Sequence, residues 1–331
     1  MAKKTALVFP GQGSQVAGMG ADLYREFQVV RNVFDESRDV LGFDIARLCF
    51  WGPQEKLDKT VITQVAVLTM NFAAYSAFEQ QTGIRPAVMA GHSLGEYSAL
   101  HIAGSISFGD ALKLVSARGG YQQEAVPAGV GSMAALVGLE RNAVEEICLE
   151  VRNGGGMVYP AIFNTDDQIV ISGCSQAVER AVEAARKKGA RGVKLPISVP
   201  CHCRLMEPAA DRFAADLNAI EFRDCEIPVI PNCDPGLFYS RNNVRGLLLE
   251  QIKSPVRWRE TVEKMVATGI DTIIEIGPKR VLSAFIKRIA PQLRIFNVEN
   301  LETLRKTDSF FSGQRAGMPA VQNLREDKHG T

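Results

Sequence analysis

The stretch that most constrains the fold of this chain is an apolar run, then a glycine–serine turn, then a helical pattern. Residues 86–90 have the composition of a strand, and they lead directly into Gly91-His92-Ser93-Leu94-Gly95, after which helical spacing continues to Ile102. Glycines on both sides of a serine allow a sharp turn where larger side chains would clash. The pattern predicts a nucleophile elbow with Ser93 exposed at its tip. The alternative is an ordinary glycine-rich turn with a solvated serine.

Strands and helices alternate along much of the chain. Residues 5–10 form an apolar strand pattern, and helical spacing follows from Leu23 to about Gln81, with Gly83 as a plausible stop. Further strands are predicted at 227–230 and 272–276, and further helices at 244–253 and 255–268. Such alternation predicts an α/β fold with a largely parallel sheet.

The middle of the chain changes rhythm. Residues 128–199 follow the order β-α-β-β-α-β, with strands at 132–138, 158–163, 168–172 and 192–199 and helices at 141–151 and 175–188. Ser175 is the expected N-cap of the second helix, and Gly189 its stop. This order is typical of a ferredoxin-like subdomain. We therefore predict such a subdomain at 128–199, inserted into a larger α/β domain formed by 1–127 and 200–304. Residues 305–331 lose periodicity and are expected to be a flexible tail.

Composition excludes several classes of protein. The 331 residues are 46% hydrophobic and 23% charged, as in globular proteins, and 38 Lys and Arg face 37 Asp and Glu, so no basic surplus favours nucleic acid. No apolar run reaches the ~18 residues of a membrane span, and the first residues enter a strand pattern without a signal sequence. The seven scattered cysteines indicate free thiols in a reducing compartment, and the cytoplasm is expected.

A serine nucleophile needs a base, and the chain has four histidines. His92 adjoins Ser93, so its side chain should leave the turn in another direction; His101 lies about two helical turns further on; His329 falls in the expected tail. His202 remains, at the junction after the inserted subdomain. A structural histidine is the alternative. A metal site at Cys201-His202-Cys203 is disfavoured, because consecutive residues do not easily converge on one ion.

Two further features could complete such a site. The loop Gly11-Gln12-Gly13-Ser14-Gln15 follows the first strand and does not match a phosphate loop. One of its amides, paired with the N–H of Leu94, could form an oxyanion hole, or the loop could be a structural turn. Arg118 stands near the expected end of a helix, before Gly119-Gly120. A lone arginine is usually solvated, and spacing alone does not distinguish that from a carboxylate clamp.

Several ordered motifs resemble one family, the malonyl-CoA:acyl carrier protein transacylases of fatty acid synthesis. The resemblance covers about residues 5–300. The matching pieces are FPGQGSQ (9–15), GHSLGEYSAL (91–100), SARGGYQQEAVPAG (116–129), FNTDDQIVISG (163–173), SVPCHCRLM (198–206), EQIKSPVRW (250–258) and EIGPKRVL (275–282). The resemblance implies a large α/β hydrolase-like domain with a ferredoxin-like insert, and transfer of malonyl from malonyl-CoA to acyl carrier protein without a metal or redox cofactor.

The same resemblance implies roles for individual residues. Ser93 would be the nucleophile and His202 its base. The N–H groups of Gln12 and Leu94 would form the oxyanion hole, Arg118 would bind the malonyl carboxylate, and the backbone carbonyl of Gln251 would orient the histidine. The carrier protein is acidic in this class, so two basic patches are candidate docking surfaces: Arg186-Lys187-Lys188 with Arg191, and Lys279-Arg280 with Lys287-Arg288. Each could instead be a solvated helix face.

Three positions depart from the family pattern. Gln122 stands where Met is common, Cys201 where Ser or Phe is usual, and Lys279 where Gly is commoner. The first two would touch the acyl pocket and affect which acyl group is accepted. The alternatives are an acyltransferase that uses another extender unit for polyketide synthesis, a serine hydrolase, and a non-catalytic module that binds acyl carrier protein.

Overall fold

The computed structural model describes residues 4–127, 129–197 and 199–316, with side chains up to residue 313. The strands are β1 Thr5–Phe9, β2 Val88–Gly91, β3 Gly131–Val137, β4 Val158–Phe163, β5 Gln168–Cys174, β6 Arg191–Lys194, β7 Val229–Ile230, β8 Thr272–Ile276 and β9 Arg294–Val298. The helices are α1 Ala21–Glu26, α2 Gln28–Leu41, α3 Ile45–Trp51, α4 Gln54–Leu57, α5 Thr60–Thr82, α6 Gly95–Ile102, α7 Phe108–Glu124, α8 Arg141–Asn153, α9 Ser175–Lys187, α10 Glu207–Ala219, α11 Val244–Lys253, α12 Trp258–Ala267, α13 Val281–Ile289 and α14 Leu301–Ala316.

The larger sheet confirms the α/β fold with a parallel sheet. Its order is β7-β2-β1-β8-β9, and every pairing is parallel. Strands β1, β2 and β8 are buried along their whole length, as expected where helices cover both faces. The register places Phe9, the last residue of β1, opposite Gly91, the last of β2. The loops that follow these two strands therefore leave the same edge of the sheet side by side.

The second sheet lies within the predicted insert. Its order is β4-β5-β3-β6, all pairs are antiparallel, and α8 and α9 pack against it. The predicted strand at 192–199 is shorter than expected: β6 ends at Lys194, and Pro196 follows with no N–H to continue the ladder. Ser175 is not the N-cap, because Cys174 precedes the helix and the Ser175 hydroxyl donates to Gly129 O at 3.0 Å. Gly189, with φ of 86°, follows the helix as predicted.

Helix α5 is the central helix of the larger core. Its 23 residues are long and apolar enough to span a membrane by length and composition alone, but 78% of its most apolar window is buried inside the protein. It packs against α2, α6 and α7. Helix α5 is therefore accounted for as a core helix. Its C-terminus is at Gly83, which has φ of 59° and matches the predicted stop.

The expected flexible tail from residue 305 is wrong for its first part. Residues 305–316 belong to helix α14, which packs on β9 and α5. Leu304 is fully buried, and the rings of Phe310 and Phe311 lie 4.5 and 5.7 Å from that of Phe296. These few apolar contacts on an otherwise polar helix give only a weak periodic signal in the sequence. The rest of the expected tail, 317–331 with His329, lies outside the described residues.

Candidate active site

Ser93 stands at the tip of the turn between β2 and α6, as the sequence predicted. Its φ is 51°, a left-handed conformation that non-glycine residues seldom adopt. The flanking glycines are required by close backbone approach. A Cβ on Gly91 would lie 1.8 Å from the carbonyl carbon of Gly95, and a Cβ on Gly95 would lie 2.1 Å from Phe9 O. The turn therefore presses α6 against the ends of β1 and β2, and Ser93 is held at the sheet's edge.

His202 contacts this serine. Its Nε2 lies 2.7 Å from Ser93 Oγ, and its Nδ1 lies 2.8 Å from the backbone oxygen of Gln251. Because a carbonyl oxygen only accepts, Nδ1 carries the proton and Nε2 is free to accept the serine proton. His202 is 3% exposed, and burial together with the charge of Arg118 lowers its pKa to about 3. The imidazole is thus neutral around pH 7, which is the form that a general base requires.

Arg118 is buried directly beside the serine, with 2% of its surface exposed. Its Nη2 donates to Ser93 Oγ and to Gln251 Oε1, both at 3.0 Å. Its Nη1 donates to Gln64 Oε1 at 2.6 Å and to Gln122 Oε1 at 3.3 Å. All four acceptors are neutral, and no carboxylate of the described residues lies within ion-pair distance of it. A buried guanidinium with only neutral partners is a strong site for a carboxylate ligand.

Helix α7 positions Arg118 differently from the sequence expectation. The helix does not end at Gly119-Gly120 but continues to Glu124, which puts Gln122 one turn beyond Arg118 on the same face. Gly119 lies against α5, where a Cβ would be 3.2 Å from Val61 Cα. The glycine therefore permits a close helix crossing, and that crossing brings Gln64 of α5 to the guanidinium.

The loop after β1 lies against the elbow. A Cβ on Gly11 would lie 2.4 Å from His92 O, so only glycine fits between them. The side chain of Gln12 donates to Thr60 Oγ1 at 3.2 Å. Among the hydrogen bonds of the described residues, none uses the backbone N–H of Gln12 or of Leu94. Two free amides on adjacent turns beside the serine are the features that an oxyanion hole needs.

Three buried polar residues support this constellation, and sequence reasoning missed them. Asn232 Oδ1 accepts from Ser93 N at 2.6 Å, and Glu96 in turn accepts from Asn232 N at 2.7 Å. Gln64 is the third, as an acceptor from Arg118. Glu96 is the only one with a local signal, a carboxylate in the apolar first turn after the elbow. Gln64 and Asn232 come from distant segments and carry none.

Two cavities lie on either side of the end of β4. One, of about 320 Å³, is lined by the 11–15 loop and His92, with apolar walls that include Met133, Val170 and Phe285. The other, of about 690 Å³, is lined by His202 and by Tyr159 and Phe163, with Arg141, Arg152 and Arg204 around it. Gln12 is among the residues that line the first cavity, which is roomy enough for a slender, mostly apolar arm.

His92, His101 and Cys201 have structural surroundings. His92 Nε2 lies 3.1 Å from Asn164 Oδ1, and burial lowers its pKa to about 4. His101 Nδ1 lies 3.0 Å from Ile106 O, and its ring packs on Phe72. Burial raises the pKa of the Cys201 thiol to about 11, so that thiol is neutral. In the described ranges, no three His, Cys, Asp or Glu side chains form a group that could hold a metal ion.

Comparisons with known proteins agree on one family. The family model described as "Acyl transferase domain" matches residues 6–309. The malonyl CoA-acyl carrier protein transacylase of Escherichia coli K12 is 46% identical over 289 residues, which cover 87% of this chain and 93% of that protein. The protein of the same name from Bacillus subtilis 168 is 41% identical, covering 91% of this chain and 95% of its own length.

Solved structures are also similar. The malonyl CoA-acyl carrier protein transacylase from Coxiella burnetii aligns with a TM-score of 0.90 at 43% identity, covering 93% of this chain and 97% of that one. A malonyl-transacylase in complex with its type II PKS acyl-carrier protein aligns with a TM-score of 0.91 at 44% identity, covering 93% of this chain and 100% of the other.

Proposed function

Because the chain belongs to the acyl transferase domain family, we propose that it transfers malonyl from malonyl-CoA to the phosphopantetheine thiol of acyl carrier protein, for fatty acid synthesis. The observation that carries the proposal is the contact of one hydroxyl with both a neutral imidazole and a buried guanidinium. The imidazole activates the hydroxyl, and the guanidinium selects an acyl group that ends in a carboxylate.

The proposed reaction has two halves. In the first, Ser93 Oγ attacks the thioester carbon of malonyl-CoA while His202 Nε2 takes the hydroxyl proton. The amides of Gln12 and Leu94 hold the oxyanion, the C–S bond breaks, and His202 returns the proton to the leaving thiolate. In the second, the carrier thiol gives its proton to His202 and attacks the malonyl-serine ester, so that Ser93 recovers its hydroxyl. Gln251 keeps the imidazole in the required tautomer through its backbone oxygen.

Arg118 sets the proposed preference for malonyl. Once Ser93 is esterified, its Oγ is a weaker acceptor for Arg118 Nη2 than the free hydroxyl. The malonyl carboxylate then accepts the hydrogen bond from Arg118 as a charged partner. Acetyl offers no such partner and should react poorly. We propose that Gln122 and Cys201 line the acyl pocket. Gln122 accepts a hydrogen bond from the Arg118 guanidinium, and Cys201, which is 7% exposed, adjoins His202 in the chain.

We place the carrier protein over α13. The basic patch of Lys279, Arg280, Lys287 and Arg288 lies on α13 and directly before it. Val281, Leu282 and Phe285 of the same helix line the 320 Å³ cavity. Arg288 pairs with Asp167 and Lys279 Nζ donates to Gly13 O, so the patch borders the catalytic loop. The other basic patch, on α9 and β6, lies on the small sheet away from that cavity. The apolar cavity is the proposed channel for the phosphopantetheine arm.

The finer architecture is part of the same proposal. The small sheet has the strand order and the two helices of a ferredoxin-like subdomain at 128–199, and the parallel sheet is that of a hydrolase-like domain at 1–127 and 200–304. Helix α14 joins the larger domain through β9. All seven cysteines are free, which supports the cytoplasm as the compartment.

The test is intact-protein mass spectrometry after mixing with malonyl-CoA and no acceptor. We expect one malonyl group, mapped to Ser93, and its removal when acyl carrier protein is added. Ser93→Ala should carry none, whereas Ser76→Ala, a helical serine whose hydroxyl bonds Phe72 O, should be modified as the parent is. Rapid loss of the adduct to water would indicate a serine hydrolase instead, and absence of any adduct would refute the proposal.

A further inference from the structure

We propose that Glu96 is a positioning residue whose ionised carboxylate holds Ser93, His202 and Arg118 in their reactive arrangement. The inference rests on the proposed function of these three residues and assigns a role to the carboxylate of a fourth, which reaches none of them directly; only the backbone N–H of Glu96 contacts one of them, donating to Ser93 O at 3.1 Å. Glu96 is fully buried in the first turn of α6. It acts through two intermediaries, Asn232 and Gln251.

The carboxylate uses both oxygens. Oε1 accepts from Asn232 N at 2.7 Å and from Tyr239 OH at 2.9 Å, and Oε2 accepts a short hydrogen bond from Gln251 Nε2. Asn232 and Tyr239 lie in the segment between β7 and α11, and Gln251 lies in α11 itself. One buried carboxylate thus ties the elbow to the half of the domain that follows the insert.

The first intermediary, Asn232, fixes the backbone around the serine. Its Oδ1 accepts from Ser93 N at 2.6 Å, and its Nδ2 donates to Gly91 O at 2.7 Å. These bonds oppose relaxation of the left-handed conformation at Ser93. Glu96 holds the main chain of Asn232, so a shift of the carboxylate is passed on to the elbow.

The second intermediary, Gln251, connects all three reactive residues. Its Nε2 also donates to Ser93 O at 2.9 Å, its Oε1 accepts from Arg118 Nη2 at 3.0 Å, and its backbone oxygen accepts from His202 Nδ1. A single amide therefore stands between a buried guanidinium and a buried carboxylate, with its oxygen toward the first and its nitrogen toward the second. Glu96 is in this way the countercharge of Arg118 before any malonyl group arrives.

The ionised carboxylate is the form that satisfies all three partners as donors. Gln251 Nε2 and Asn232 N can only donate, and the Tyr239 hydroxyl donates to the ionised form. A proton on Oε2 would meet the Gln251 N–H, and a proton on Oε1 would require the Tyr239 hydroxyl to change from donor to acceptor. Protonation would therefore weaken the hydrogen bonds that hold Gln251 or Asn232. We expect the His202 imidazole and the Arg118 guanidinium to be held less firmly beside Ser93, while the protein remains folded.

The titratable groups around Glu96 make this switch accessible near neutral pH. Arg118 on α7 favours the ionised form, while Tyr97, Tyr239 and Cys233 are the neutral titratable groups that face it from α6 and from the segment after β7. Burial dominates and raises the pKa of Glu96 to about 7. Burial and the charge of Arg118 lower the pKa of His202 to about 3, well below that of Glu96, so the two groups predict losses of rate in different pH ranges.

The experiment measures the single-turnover rate of acylation by malonyl-CoA, without acceptor, from about pH 5 to 9. For the parent protein we expect the rate to fall on the acid side with an apparent pKa of about 7. Glu96→Gln should be about 100-fold slower at pH 8, because a glutamine cannot accept hydrogen bonds on both of its terminal atoms. Because glutamine does not titrate, the variant should also lack the acid limb, that is, the fall of the rate toward low pH.

A second variant tests the proposal even if Glu96→Gln does not fold stably. Tyr239→Phe removes one donor to the carboxylate, so it should move the acid limb to higher pH by about one unit. The matched control is Tyr75→Phe, whose hydroxyl bonds Glu79 at 3.0 Å on α5, and its limb should stay in place.

The outcomes are distinct from those of the proposed function. A parent-like rate and limb in Glu96→Gln, or an unmoved limb in Tyr239→Phe, would overturn the role of Glu96 while leaving malonyl-Ser93 as the intermediate. Absence of any acylation in the parent would instead refute the function on which the role rests.

Discussion

At the scale of the residue, strain is concentrated where the proposed chemistry takes place. Among the described non-glycine residues, positive φ occurs at Ser93, His202 and Lys279. Ser93 and His202 exchange the proton in the proposed reaction. Such a conformation costs about 1–3 kcal/mol and persists only where surrounding contacts determine it. Asn232 and Gln251 supply those contacts at Ser93.

This strain can be measured with two inactive variants. Ser93→Gly removes the steric cost of the left-handed conformation, whereas Ser93→Ala retains it. We expect the glycine variant to have the larger free energy of unfolding, by about 1 kcal/mol, measured by denaturant unfolding at one pH. Equal stability of the two variants would show that the turn is not strained at Ser93.

Arg118 decides the acyl preference in the proposed mechanism. In Arg118→Ala, we expect kcat/KM for malonyl-CoA to fall about 100-fold more than that for acetyl-CoA, because only malonyl loses a charged hydrogen-bond partner. Arg38→Ala, a half-exposed arginine that pairs with Asp35 on α2, is the control and should change neither. An equal loss of kcat/KM for both substrates would show that Arg118 organises the site but does not bind the malonyl carboxylate.

The sequence was informative for some site residues and silent for others, for physical reasons. The elbow is local, because glycine, serine and glycine at fixed spacing specify one turn, and His202 followed by elimination. Arg118 could not be distinguished from a solvated arginine, since its burial depends on helix α5, some fifty residues earlier. Asn232 is 139 residues from the serine amide it binds, and nothing near it in the sequence indicates that pairing.

At the scale of the element, predictions succeeded where the apolar pattern is strong. Strand β4, helix α11 and strand β8 have the boundaries that their patterns predicted. Errors arose where a tertiary contact overrides local preference. Gly119-Gly120 indicates a helix end, yet α7 continues because α5 packs against that face. Helix α14 looks like a tail, because a few aromatic contacts with β9 hold an otherwise polar segment.

The contact between α6 and β1 predicts a large effect of one methyl group. Gly95→Ala would place a Cβ 2.1 Å from Phe9 O, and backbone must shift to admit it. We expect a loss of about 3 kcal/mol in the free energy of unfolding, with loss of acylation. Gly246→Ala, in the exposed interior of α11 with nothing within 4 Å, should instead stabilise the protein by about 0.5–1 kcal/mol. Denaturant unfolding of both variants measures the difference.

At the scale of the whole molecule, the small sheet is joined beside the site to a segment outside the insert. Phe163 N donates to Val256 O and Val256 N donates to Ala161 O, both at 2.9 Å, so β4 of the small sheet is joined to the segment after α11. That segment begins just beyond Gln251. The junction holds the cavity walls of the small sheet in a fixed relation to the hydrogen bonds among Ser93, His202 and Gln251.

The proposed docking surface is a property of the whole molecule as well. Lys287→Glu reverses an exposed charge on α13, and we expect it to raise KM for acyl carrier protein about fivefold while leaving acylation by malonyl-CoA unchanged. Lys187→Glu makes the same change on α9 and should alter neither. Steady-state kinetics with varied carrier protein measure both. A stronger effect of the α9 variant would move the docking surface to the small sheet.

The wide separation of the proposed catalytic groups along the chain has a consequence for biosynthesis. The serine precedes its imidazole by 109 positions and the carbonyl that sets the tautomer by 158. A nascent polypeptide that has emerged only as far as the insert holds the nucleophile without its activating partners. In the proposed mechanism, esterification of the serine by a thioester therefore requires a chain that has been translated beyond α11.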